Sequence, residues 1–137
     1  MKRKSINPVD WGLKFNMDQG EVIEGTPRHL RCSGQISVEP SDESELGVSV
    51  ASPGDLRAQM TQALANIDAV LDEAGMSRQN IVSLRFFTTD IDGFLENYEV
   101  YAEWIAAAGT RPPQSLLGVN QLVLEDILLE IEAEAAA

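Results

Sequence analysis

"DLRAQMTQALANIDAVLDEAGMSRQNIVSLRFFTTDI" occupies residues 55–91, and its reading decides the fold. The first half has helical spacing. Leu56, Met60, Ala63, Leu64, Ile67, Val70, Leu71 and Ala74 recur at three- and four-residue steps and draw one apolar stripe. Ser52 or Asp55 can cap its start, Pro53 fits the first turn, and Gly75 stops it. The second half, residues 80–90, crowds β-branched and aromatic side chains into a short run, the signature of a largely buried strand.

Downstream, Asp90 or Asp92 caps a second helix whose stripe is Phe94, Leu95, Tyr98, Tyr101, Ala102 and Ile105, ended by Gly109. "QSLLGV" (114–119) reads as a strand. "ILLEIEAEA" (127–135) reads as the last one, alternating Leu129, Ile131 and Ala133 with Glu130, Glu132 and Glu134. Upstream, "HLRCSGQISV" (29–38) places Leu30, Cys32 and Ile36 on one face and His29, Arg31, Ser33 and Gln35 on the other. "LKFNMD" (13–18) and "GEVIEG" (20–25) suggest a short hairpin, and "EPSDESELG" (39–47) a surface loop.

A weak internal echo links "EAGMSRQNIVSLRFF" to "AAGTRPPQSLLGV": each runs from a helix end through Ala-Gly and a polar loop into an apolar strand. The resulting order, β-β-β-α-β-α-β-β, predicts an α+β two-layer sandwich with two helices on one face of a mixed sheet. A single domain over residues 1–137 suits this length. Two helices cover only one face of such a sheet. The other, carrying Arg85, Phe87 and Gly118, calls for cover by another subunit.

Composition narrows the function. Hydrophobic residues make up 44% of the chain, as a folded core requires. No apolar run approaches the ~18 residues of a membrane span, and the basic start "MKRKSINPVDW" leads into no apolar signal region. The single Cys32 can form no internal disulfide, which suits a reducing cytoplasm. A formal net charge of −12 repels phosphate backbones and anionic lipid headgroups. Nucleic acid and membrane are therefore not expected partners.

The chemistry-bearing residues are few. His29 is the only histidine, and no second His or Cys stands at metal-ligand spacing, so no metal is expected. Cys32 lies three residues along the same strand, on the opposite face, so the two cannot form a nucleophile–base pair. "GVSVASPG" lacks the lysine and spacing of a phosphate-binding loop. Glu130, Glu132 and Glu134 share a strand face that is either simply solvated or, at a subunit seam, able to supply a general base.

"CSGQISV", residues 55–91 and the terminal "LLEIEA" together resemble the YjgF/RidA family over roughly residues 14–135. The resemblance implies a chorismate-mutase-like α+β fold in a homotrimer with a barrel core and three small-molecule clefts between subunits. It also implies cofactor-free hydrolysis of reactive enamines and imines. In that chemistry an arginine after a Pro-x pair clamps the substrate carboxylate, and a last-strand glutamate handles water. Backbone groups of a Ser-Gly-Gln turn, a tyrosine and an asparagine complete the cleft.

Carried onto this chain, the last-strand glutamate is Glu130, and Gly34, Phe87 and Ser115 are kept. Gln114 stands at the arginine position, Met17 at the tyrosine and Tyr98 at the asparagine. Glutamine cannot form the bidentate charge-assisted pair, a loss of about 1–3 kcal/mol, or roughly 5- to 150-fold in binding. The expectation is a trimer that binds, or acts on, a small neutral or amine-bearing metabolite through Gln114, Ser115, Gly34, Phe87, Tyr98 and Met17, with Glu130 as the catalytic group. The alternative is imine hydrolysis with Arg111, Arg31 or Arg85 replacing the clamp. A ribonuclease fits the charge poorly, and a protein whose trimer is itself the function has no identified partner.

Overall fold

The computed structural model describes residues 1–137. Four strands form the main sheet in the order β3 (His29–Gln35), β8 (Leu129–Ala136), β6 (Ile81–Thr88), β7 (Gln114–Gly118). The β3–β8 and β8–β6 pairs are antiparallel and β6–β7 is parallel, so the sheet is mixed. Helices α1 (Leu56–Glu73), α2 (Ile91–Glu96) and α3 (Glu99–Ala106) complete an α+β domain.

Helix α1 forms where the spacing predicts it. The Asp55 carboxylate accepts from the Ala58 amide and so caps the first turn, with Pro53 lying ahead of it. Its buried stripe includes Met60, Ala63, Leu64, Ile67 and Leu71, in one core with Leu84, Phe86, Leu129 and Ile131. Each such side chain contributes about 1.5–3 kcal/mol when fully buried. The stripe also holds a polar residue that periodicity passed over. Gln59 is fully buried, and its amide donates to the Ser52 and Asp126 carbonyls at 3.1 and 2.7 Å. Its carbonyl accepts from the Leu128 amide at 2.8 Å, so one side chain stitches α1 to the loop before β8.

Several expectations need correction. The "LKFNMD" segment is not a strand: Trp11–Phe15 is a 3-10 turn ended by Asn16 at φ 55°. The hairpin partner of β2 (Gly20–Glu24) is instead β1 (Lys2–Ile6), in the register Lys2 opposite Glu24. Arg3 fastens this ribbon to the domain by pairing with Glu21 and donating to the Gln79 and Ile81 carbonyls. The strand from His29 ends at Gln35, after a register shift between Cys32 and Gln35. Beyond it, β4 (Val38–Pro40) and β5 (Val48–Val50) form a second ribbon that narrows the expected loop.

The second helix is broken in two. Around Asn97 the amides of Tyr98 and Val100 donate to the Leu95 and Asn97 carbonyls, three residues back, so the helix tightens and turns. The break leaves Leu95 exposed, against its place in the expected stripe, while Phe94, Tyr101 and Ile105 are fully buried. Phe86 gathers Phe94 and Tyr101 at centroid separations of 5.2 and 4.9 Å. No helix is long and apolar enough to cross a membrane.

Gln59→Leu removes the partners of three backbone groups at once. At about 1–3 kcal/mol for each buried group left unpaired, we expect a loss of roughly 3 kcal/mol in urea unfolding, despite the added apolar surface.

Candidate functional site

Alternation along the sheet sorts the expected site residues onto two faces. Gln114 lies opposite Leu84, whose side chain is buried beneath the helices, whereas Ser115 lies opposite the exposed Arg85. Phe87 pairs with Glu130 and, on its other side, with Leu117. Gln114 thus belongs to the helix side of the sheet, and Glu130, Phe87 and Ser115 to the open side. Within one chain they do not converge on a common point.

On the helix side, the Gln114 amide nitrogen donates to the Tyr98 hydroxyl at 2.6 Å. That hydroxyl in turn donates to the Phe15 carbonyl, on the 3-10 turn of the N-terminal segment. The Tyr98 ring is held by edge contacts to Phe15 (5.7 Å), Phe94 (5.9 Å) and Tyr101 (5.7 Å). Burial pushes the Tyr98 phenol up, and the bond from Gln114 offsets part of that rise. The Gln114 carbonyl oxygen is buried without a hydrogen-bond partner.

The same corner is pinned by Asp18, which sequence reasoning did not single out. Asp18 is 3% exposed and accepts from Ser5 (2.6 Å), Asn7 (2.8 Å) and Arg111 (3.1 Å), while its backbone amide donates to the Arg111 carbonyl (2.9 Å). Burial alone would raise its carboxyl; these three donors outweigh it and hold the carboxyl below the usual range. No local pattern marks an aspartate whose partners lie 11, 13 and 93 residues away. Arg111 is thereby committed to Asp18. Met17 sits in the same turn, with its carbonyl and methyl group against Gly12.

On the open side, Gly34 and Glu130 fit together. A Cβ at Gly34 would stand 2.5 Å from the Glu130 carboxyl carbon and 2.8 Å from Oε2, so the missing side chain makes room for the carboxylate. Burial raises the Glu130 carboxyl, and the charge of Glu132 adds to the rise. Beside it a cavity of about 460 Å³ is lined by Arg31, Ser33, Ser83, Arg85, Glu132 and Glu134. Arg85 stands 3.7 Å from Glu132, and Arg31 lies opposite Glu134 in the β3–β8 register.

His29 is exposed, with its Nε2 beside the Thr26 carbonyl at 3.0 Å. Cys32 is buried and its thiol is pushed up by that burial, which suits a packing role.

Residues 21–137 match the family model described as Endoribonuclease L-PSP. A RutC family protein of Aquifex aeolicus is 35% identical over 108 residues, covering 79% of this chain and 78% of the relative. The crystal structure of YyfB, a Rid family protein of unknown function from Yersinia pestis, superposes with a TM-score of 0.80 at 28% identity over the whole of both chains. Escherichia coli TdcF, solved with bound serine, gives a TM-score of 0.67 at 29% identity over 97% of this chain and 93% of its own. In sequence, TdcF is 35% identical over 104 residues, covering 75% of this chain and 74% of its own, and is named as a candidate reactive intermediate deaminase.

A carboxyl raised in the folded state adds stability that is fully present below its unfolded value and is lost as pH rises through the folded one. Glu130→Gln removes that loss. We expect the stability difference between pH 7 and pH 4, from urea midpoints, to be more favourable in Glu130→Gln than in wild type.

Proposed function

The chain belongs to the Endoribonuclease L-PSP family, the YjgF/RidA-like group, and from that membership we propose that it is a small-molecule-binding trimer. Its ligand, bound or acted upon in clefts between neighbouring chains, is a neutral or amine-bearing metabolite, and standard imino-acid deamination is not its reaction. The observation that carries this reading is the state of Gln114. Where the family's carboxylate clamp would stand, the chain holds a neutral amide whose nitrogen is already given to Tyr98 and whose buried oxygen can only accept. A carboxylate meets at most the second, uncharged N–H of that amide, in place of the bidentate cationic pair of a guanidinium.

The two faces of the sheet suit an assembly. One chain carries the Gln114 half of the expected site on the helix side and the Glu130 half on the open side, so a neighbour's opposite half is needed to close a cleft. The open face also displays Phe87 and the exposed Leu117 among its charges, an apolar area for a neighbour to cover. In such a cleft Glu130, with Gly34, Phe87 and Ser115 around it, holds an amine or handles a proton. Its raised carboxyl lies closer to neutral pH than an ordinary glutamate, as a general acid or base requires.

A second reading, imine or enamine hydrolysis, draws support from the name of TdcF and from two arginines on the open face. With Arg111 committed to Asp18, Arg31 and Arg85 are the remaining substitutes for the clamp. The nuclease description of the family model is not carried over, because a net charge of −12 opposes an RNA backbone.

Ammonia release from 2-iminopropanoate generated in situ separates the two readings. Wild type is expected to leave the spontaneous rate unchanged, and Gln114→Arg to gain activity. Release by wild type well above the spontaneous rate would overturn the proposal in favour of Arg31 or Arg85. A thermal-shift panel of small amides, amines and keto acids checks the ligand class: amides and amines should raise the midpoint, and stabilisation by none of them would sink the binding role.

A further inference from the structure

We infer that residues 1–24 form a strap that closes the Gln114 corner and lifts from the domain as one unit, with the Asp18–Arg111 contact as its latch. The segment folds on itself: β1 and β2 pair only with each other, and Met17 and Gln19 pack against Gly12. It contributes nothing to the core. No residue before Leu30 belongs to the apolar cluster or packs against it. Within the strap only Gly12 and Asp18 are buried, while Val9, Trp11 and Leu13 stay exposed.

Polar bonds at three places hold the strap down. At one end Arg3 donates to the Gln79 and Ile81 carbonyls. At the other, Arg111 donates to the Asp18 carboxylate at 3.1 Å, and the Asp18 amide donates to the Arg111 carbonyl at 2.9 Å. Between them the Phe15 carbonyl accepts from Tyr98, whose ring also meets Phe15 edge-on. Lifting the strap therefore exposes little of the apolar area that holds the domain together. It also returns the Asp18 carboxylate to water, which offsets part of the lost ion pair. A segment held in this way sits at the low end of the stabilities within one molecule.

The strap covers Gln114. The Gln114 nitrogen is bonded to the Tyr98 hydroxyl, that hydroxyl is bonded to the strap, and the Gln114 carbonyl oxygen is buried. On the small-ligand reading above, a ligand meets Gln114 only while the strap is lifted. Lifting itself is measured without a ligand, so it stands or falls apart from that reading.

Backbone amide exchange followed by ¹H–¹⁵N NMR measures the lifting. The Asp18 amide reports on the junction, and the β1–β2 amides report on a ribbon that two strands alone protect poorly. Both sets are expected to be at least about 100-fold less protected than the amides of β6 and β8. Asp18→Asn removes the charge from the latch, and Arg3→Gln loosens the clasp at the other end. Each should speed exchange along the whole strap by about tenfold and leave β6 and β8 within about twofold. Equal protection in strap and core would overturn the inference, and so would a variant whose effect stays at its own end.

Tyr98 and Tyr101 are the two tyrosines of the chain, so nitration by tetranitromethane, located by mass spectrometry, reports on the cover. Modification of Tyr98 should rise in both variants, while the fully buried Tyr101 stays unmodified. Faster strap exchange with Tyr98 no more reactive than in wild type would remove the strap's role as the cover of this corner.

Discussion

Parallel strands cannot be joined by a tight turn, and the β6–β7 pairing imposes that constraint on the whole C-terminal half. The chain must leave the end of β6 at Thr88, cross the sheet and re-enter at Gln114, level with Leu84. Helices α2 and α3 are that crossing. The crossing is broken near Asn97, and Tyr98, the residue that precedes α3, meets Gln114 at the beginning of β7. The register that places Gln114 beside Leu84 also sends its side chain to the helix side. The meeting of Tyr98 and Gln114 is thus a product of topology: neither residue selects the other locally.

The N-terminal segment converges on the same corner by different means. Its 3-10 turn supplies a carbonyl to Tyr98, and Asp18 binds Arg111 just ahead of β7. These contacts are polar and long-range, whereas the aromatic cluster of Phe86, Phe94 and Tyr101 beneath them is fully buried and held by ring packing. The corner therefore has a rigid apolar floor and a polar roof drawn from a separate stretch of chain. That division suits a site in which orientation matters as much as affinity.

Much of the fold was legible because its main elements obey one period each. Helix α1 and strand β8 lie where 3.6- and 2-residue spacings put them, β6 lies where β-branched and aromatic residues crowd together, and the Ala-Gly echo runs into two strands that are neighbours in the sheet. The N-terminal ribbon was misread because the apolar character of Leu13 and Phe15 outweighed the sparse signal of Lys2–Ile6, whose pairing is fixed at a distance by Glu21 and Arg3. The break at Asn97 was invisible because Asn97 lies inside a stripe that continues on both sides. For the site, the resemblance supplied Gln114, Glu130, Gly34 and Tyr98 as positions. It could not supply their faces: that Gln114 points away from Glu130 follows from strand register, and that Arg111 is spent on Asp18 follows from tertiary contact.

The stitching by Gln59 bears on how the molecule breathes. Residues 119–128 form an irregular connection between β7 and β8, the sort of segment that ordinarily opens by itself with little loss of free energy. Here two of its backbone groups, the Asp126 carbonyl and the Leu128 amide, are bonded to a side chain buried in α1. Opening this end of the connection exposes a glutamine amide in the core and weakens the helix start that also leans on Ser52. The connection and the first turns of α1, far apart in sequence, therefore open and close as one cooperative unit.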